Sequence, residues 1–206
     1  MIFWPGREEK GMNKNIILCG VGGQGTILAS RLIAAAAMNS GIPILTAETI
    51  GMAQRGGSVF SHLRLGEGVH SPLTARGEAD LIIGFEPGET VRQLPFLKPD
   101  GAVVVNTSPV MPVSAMIGKA PYDAGEMLSY LKEHVRHLTC VDGEMAAKEL
   151  GSSRVLNVVL LGAAQQSGAL GFTSEEMEQA LKEKVPARFL ALNQAAFAFG
   201  KKTKNS

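Results

Sequence analysis

Residues 15–30, NIILCGVGGQGTILAS, constrain this chain more than any other stretch. Ile16, Ile17, Leu18 and Cys19 form a short apolar run with β-branched members, and glycines follow at Gly20, Gly22, Gly23 and Gly25. Thr26 then opens an alanine-rich apolar segment that continues to about Met38. This order predicts a strand, a tight glycine turn and a helix N-terminus. Residues without Cβ let backbone N–H groups approach a ligand closely, and the helix dipole favours negative charge at that end. An anionic group or a closely packed partner backbone is the natural occupant.

What surrounds this stretch limits the possibilities. The 206 residues suffice for one well-buried domain. With 45% hydrophobic and 19% charged residues and a formal net charge of +1, the chain is neither disordered nor suited to broad electrostatic attachment to nucleic acid or an anionic membrane. No apolar run reaches the ~18 residues that a membrane span requires; the segment after Thr26 is broken by Ser30 and Arg31. The two cysteines, Cys19 and Cys140, are too few for a four-ligand iron–sulfur cluster and make no CxxC pair. They read as buried thiols of a reducing cytoplasm. Residues 1–11, MIFWPGREEKG, lack the features of a secretory signal and read as an upstream extension before a natural start at Met12. The domain is expected over residues 12–200, with a frayed tail at 201–206.

Beyond the first helix, Ile44-Leu45-Thr46 reads as a second strand, giving a βαβ unit. Glu48 to Ser58 is polar and glycine-containing, a loop rather than a sheet interior. Residues 58–65 read as a strand, and Val69-His70-Ser71 as a short return after the turn Gly66-Glu67-Gly68, an antiparallel hairpin excursion. Strands are expected at 79–85, 102–106 and 137–141, and helices at 89–94, 124–134 and 143–150. Residues 154–168 are apolar nearly all round, so that helix should be buried. Thr173 and Glu176 have the spacing of a capping box for a helix to about Lys184. The last helix, 186–199, places Phe189, Leu192, Ala196 and Phe199 on one face. The fold class is α/β: a single Rossmann-like domain with a mainly parallel mixed sheet and helices on both faces. Ligands of such sheets sit beyond the carboxyl ends of the strands. Three of those ends, at 20–26, 85–89 and 106–109, are polar or glycine-rich and are expected to face one crevice.

The motifs leave several chemistries open. Gly20-Val21-Gly22-Gly23-Gln24-Gly25 matches GxGxxG after a strand, with Glu48 at about the distance of a ribose-binding acid, which admits a stand-alone NAD(P)-dependent oxidoreductase. Arg55-Gly56-Gly57-Ser58 offers a cation beside flexible backbone, able to hold a phosphate, a carboxylate or a carbonyl, or simply to lead into a strand. Glu86 and Glu89, around Pro87-Gly88, read as capping acids in a first helical turn rather than an acid–base pair. His62, His70, His134 and His137 lack metal-ligand spacing, and there is no GxSxG. No convincing catalytic set can be assembled. That points to a subunit whose chemistry is completed elsewhere, or to a scaffold.

Taken together, GVGGQGTILAS, GMAQRGGSV, HLRLGEGVHSPL, ADLIIGFEPGE, VVVNTSP, LNVVLLGA and VPARFLALNQAAF resemble the gamma-type domain of 2-oxoacid:ferredoxin oxidoreductases over essentially residues 12–199. MAQRGG and VPARFLALN favour the indolepyruvate branch, in its beta-subunit form, over branches acting on pyruvate, 2-oxoisovalerate or 2-oxoglutarate. The resemblance implies a complex that oxidatively decarboxylates an arylpyruvate with coenzyme A and reduces ferredoxin. It implies that thiamine diphosphate, Mg²⁺ and 4Fe-4S clusters reside on a large partner subunit, and that this chain is inactive alone. Gly20, Gly22, Gly23, Gln24, Gly25 and Thr26, with Arg55, Gly56, Gly57 and Ser58, are the matching positions expected to face coenzyme A or the partner.

Overall fold

The computed structural model describes residues 12–50, 57–110 and 122–203. The predicted extension at 1–11 and the end of the predicted tail lie outside these residues, as do Gln54, Arg55 and Gly56. Six strands form one sheet: β1 (Lys14–Val21), β2 (Ile44–Ile50), β3 (Ser58–Leu65), β4 (Ala79–Gly84), β5 (Leu97–Asn106) and β6 (His137–Val141). Their order is β2-β3-β1-β4-β5-β6. Pairs β1·β4, β4·β5 and β5·β6 are parallel, and β3 runs antiparallel to both β1 and β2. The mixed sheet of the sequence reading is therefore present.

The central strands are buried on both faces, which is why they read as unbroken apolar runs. Ile16 and Leu18 of β1 join one core with Leu81, Ile83 and Val104. Ile17 and Cys19 join the other with Ile82, Val103 and Val105. Helices α1 (Thr26–Asn39), α4 (Gly143–Leu150), α5 (Leu156–Gln166), α6 (Ser174–Lys184) and α7 (Ala187–Gly200) build the first core. Helices α2 (Pro87–Gln93) and α3 (Ala124–His134) cover the second.

Residues 48–50, read as loop, instead extend β2 and pair with residues 59–61 of β3, and two further expectations need correction. The antiparallel excursion is β3 itself, and Val69 to Ser71 form no strand. With β1 on one side and β2 on the other, β3 has no free edge to offer them. Side chains hold that segment instead: Arg64 donates to the carbonyls of Ser71 and Leu73 at 3.3 Å each, and the Thr74 N–H donates to His62 Nδ1 at 3.2 Å.

The second correction concerns α7, which buries Asn193, Ala196, Phe197 and Gly200 and leaves Phe189 44% exposed. Glycine contacts choose that face. A Cβ on Gly200 would sit 2.0 Å from the Val159 carbonyl oxygen, and one on Gly162 would sit 2.2 Å from that of Phe197, so α5 and α7 meet backbone to backbone. Lys201, assigned to the tail by sequence, is tied by its Nζ to Ser174 Oγ at 2.8 Å. The capping box at Thr173 and Glu176 is present in both directions.

Candidate functional site

The strand ends predicted to share a crevice do meet, and two primary amides stitch them together. Gln24 Nε2 donates to the Phe85 carbonyl at 2.9 Å, and Asn106 Nδ2 donates to the same oxygen at 3.0 Å. Asn106 also donates to the Ser108 carbonyl, while its Oδ1 accepts from the N–H groups of Ser108 and Gly143. The ends of β1, β4 and β5 and the start of α4 are thereby fixed relative to one another.

Within the glycine turn the four glycines do different work. A Cβ on Gly20 would lie 2.6 Å from Gln24 Oε1 and 2.7 Å from Phe85 Cβ, so this glycine permits packing. Gly25, at φ 82°, would press a Cβ to 2.8 Å from Asn157 Nδ2, which donates to the Gly25 carbonyl at 3.3 Å. The Val21 N–H is closed internally on Gln24 Oε1 at 2.8 Å, and the Gly22 N–H donates to the Gly57 carbonyl at 3.0 Å. Gly23, at φ 101°, is exposed, with nothing within 4 Å of a Cβ placed there. Next to it α1 begins with no side-chain cap and no acid in its first turn. The first N–H groups of a helix have no intrahelical partner, so Gly23 and the start of α1 form the open, electropositive mouth of the turn.

The far side of the crevice carries charge of the opposite sign. Glu86, 2% exposed, is the N-cap of α2 and accepts from the Glu89 N–H at 2.9 Å, with Pro87 in the first helical position. Its other oxygen accepts from the Tyr122 hydroxyl. Glu89, 5% exposed, accepts from Ser58 Oγ at 2.6 Å and from Arg92 at 2.6 Å. Burial, reinforced by the Glu86 carboxylate, pushes the Tyr122 phenol up, so it stays a donor. The capping role read for Glu86 is present, and Glu89 does more than complement a dipole. An anion is favoured at α1 and disfavoured at α2.

Gly57 and Ser58 thus join the turn and the carboxylates, whereas Arg55 and Gly56 lie outside the described residues. Glu48 is exposed on β2, and β3 separates that strand from β1 by two strand spacings, roughly 10 Å. A dinucleotide site needs its ribose acid on the strand beside the glycine turn, so the insertion of β3 removes that support for NAD. His62 is buried edge-on to Phe60 and Phe96, and burial holds its pKa below the ordinary value. Among the described residues no group of three His, Cys, Asp or Glu is placed to hold a metal ion. Cys19 in β1 and Cys140 in β6 are three strand spacings apart, roughly 14 Å, and burial pushes the Cys19 thiol up.

Two contributors escape a reading of the sequence. Asn157 holds the glycine turn from the start of α5, and its one signal is a polar residue near the start of an otherwise apolar run. Tyr122 reaches Glu86 from a position 36 residues away, which no local pattern reveals.

Comparison with known proteins places this geometry. Residues 15–203 match the family model described as pyruvate ferredoxin/flavodoxin oxidoreductase. The indolepyruvate oxidoreductase subunit IorB of Methanothermobacter thermautotrophicus is 40% identical over 190 residues, covering 92% of this chain and 96% of that one. The solved gamma subunit of a keto/oxoacid ferredoxin oxidoreductase from Geobacter sulfurreducens shares the fold, with a TM-score of 0.68 at 24% identity over 93% of this chain and 96% of that one. The fold also recurs within a longer polypeptide, the 2-oxoglutarate:ferredoxin oxidoreductase from Magnetococcus marinus. There the TM-score is 0.69 at 24% identity, and the match covers 94% of this chain but 31% of that one. No helix among the described residues is long and apolar enough to cross a membrane. With most of its length matched both to the family model and to a relative at 40% identity, the chain belongs to the pyruvate ferredoxin/flavodoxin oxidoreductase family.

Proposed function

We propose that this chain is the non-cluster subunit of a cytoplasmic indolepyruvate-type ferredoxin oxidoreductase, and that the mouth of its glycine turn receives an anionic part of coenzyme A. The observation that carries the second half is the uncapped start of α1 beside the open Gly23. Gly23, Gly25 and Thr26 supply the backbone there, and Gly22, whose N–H is held by the Gly57 carbonyl, leads into it. Gln24 and Gly20 keep the turn in shape, and Gly57 and Ser58 brace it. Arg55 and Gly56, which precede Gly57 in sequence, are assigned to the same ligand, Arg55 as its cation. The name of the relative at 40% identity supports the arylpyruvate substrate. The neighbour from Magnetococcus marinus, solved with coenzyme A bound, supports the co-substrate.

The donor chemistry of this chain supports assigning thiamine diphosphate, Mg²⁺ and the 4Fe-4S clusters to a large partner subunit. Its two thiols are too far apart to share a cluster, and all four oxygens of Glu86 and Glu89 are engaged. Held by the partner, thiamine diphosphate would supply the chemistry for cleaving the oxoacid and the clusters a route for electrons to ferredoxin. This chain's part is to bind and orient coenzyme A and to complete the assembly.

The test is assembly with the large subunit, followed by hydrogen exchange of residues 22–28 with and without coenzyme A. Protection of the turn, loss of turnover when this chain is omitted, and weaker coenzyme A binding by Arg55→Ala are expected. Turnover of an arylpyruvate by the isolated chain would overturn the subunit assignment. An active complex whose turn ignores coenzyme A would leave the chain a scaffold. NADH fluorescence should be unchanged by the isolated chain.

A further inference from the structure

We infer that Glu89 is a positioning residue for the glycine turn, acting through Ser58 and Gly57, and that Glu86 and Tyr122 hold it in place. This rests on the reading that the turn contacts coenzyme A.

Helix α2 does not need the Glu89 carboxylate. Glu86 already caps it, accepting from the Glu89 N–H with its side chain and from the Thr90 N–H and hydroxyl with its carbonyl, at 3.0 and 2.7 Å. Arg92, the other partner of Glu89, has a side chain 65% exposed and could remain in solvent. Burying a carboxylate is costly unless it is fully bonded, and an apolar residue at a buried position often stabilises a fold more. The gain from Glu89 lies elsewhere. Its Oε2 takes the Ser58 hydroxyl at 2.6 Å, and Ser58 is the first residue of β3. The preceding residue, Gly57, presents its carbonyl to the Gly22 N–H at 3.0 Å. A carboxylate in the first turn of α2 therefore fixes, through two hydrogen bonds and one peptide link, the strand side of the exposed Gly23.

Glu86 makes this anchor rigid. One of its oxygens holds the Glu89 backbone and the other takes the Tyr122 hydroxyl, so the pair cannot turn independently. A charge-assisted hydrogen bond holds more tightly than a neutral one, which suits a carboxylate to the post.

The experiment compares Ser58→Ala, Glu89→Gln and the double variant in the assembled complex, reading KM for coenzyme A against kcat. Hydrogen exchange of a peptide spanning residues 20–25 is read in the full chain. Each single variant is expected to raise KM about tenfold, more than it lowers kcat, with the double no worse than the worse single. Exchange at the turn is expected to accelerate in all three. If Ser58 touched the ligand itself, Ser58→Ala would raise KM while Glu89→Gln did not, and the inference would fall. Additive effects, or unchanged exchange at the turn, would overturn it as well. Should wild-type complex bind coenzyme A away from the turn, the proposed contact fails, and the exchange measurement still decides whether Glu89 positions Gly22.

Discussion

Gly23 and Gly25 both hold positive φ, at 101° and 82°, yet substitution should separate them sharply. Alanine at 23 meets open space and pays backbone strain alone, about 1 kcal/mol. Alanine at 25 adds a collision with Asn157, so urea denaturation should show roughly 2–3 kcal/mol lost. A reversed order would mean that the turn is not braced by α5. His62 gives a second prediction at this scale. Burial lowers its pKa, so the unfolded chain binds the proton at higher pH than the folded one. The contribution is complete above the unfolded value of about 6.5 and is lost as pH falls from there toward the folded value. In His62→Asn, which keeps an acceptor for Thr74, stability should fall less between pH 7 and 5 than in the wild type. An identical fall would assign that pH dependence to other groups. Gln24 and Thr26 were legible as parts of a turn and a helix start, because glycine spacing encodes both. Asn157 and Tyr122 were not, since each acts across the fold on a partner far away in sequence.

Elements with local signals were read nearly to the residue. The helices at 124–134 and 143–150 and the strand at 137–141 match, as their caps, charges and β-branched runs are local. The Thr173 box is equally local, and Thr173→Ala should cost about 1 kcal/mol, measured by thermal unfolding. The face of α7 depends on glycines in two different helices, and no pattern within residues 186–199 could show it. Gly162→Ala should be far more damaging than Thr173→Ala, by roughly 3 kcal/mol or more, because it meets the α7 backbone, which has no rotamer to yield. Equal effects would mean that the two helices slide apart at little cost.

For the molecule as a whole, the alternation of two cores about one sheet was legible from apolar runs, but the position of β3 was not. A strand's neighbours are set by pairing at long range, and Glu48 at a plausible spacing suggested the simpler winding. The two cores also make a prediction for chemistry at the surface. Cys19 on β1 is fully buried within the second core, with its thiol pKa raised, so a thiol reagent should modify it no faster than the chain unfolds globally. Measured against urea concentration, Cys19 labelling should track the unfolding transition. Modification under native conditions would reveal local opening at β1.

The place of β3 also governs the order in which structure can arise during synthesis. When residues 12–50 have left the ribosome, β1 and β2 are both outside, but neither can make its native pairing with the other, since the slot between them belongs to a strand still inside the exit tunnel. Until residues 58–65 emerge, β2 has no partner at all, and the apolar side of α1 has an unfinished sheet to cover. The nascent chain therefore passes through a window in which residues 12–50 present exposed strand edges. Chaperone contact should concentrate there, and a translational pause that holds residues 58–65 inside the exit tunnel should raise aggregation more than one placed after they have emerged.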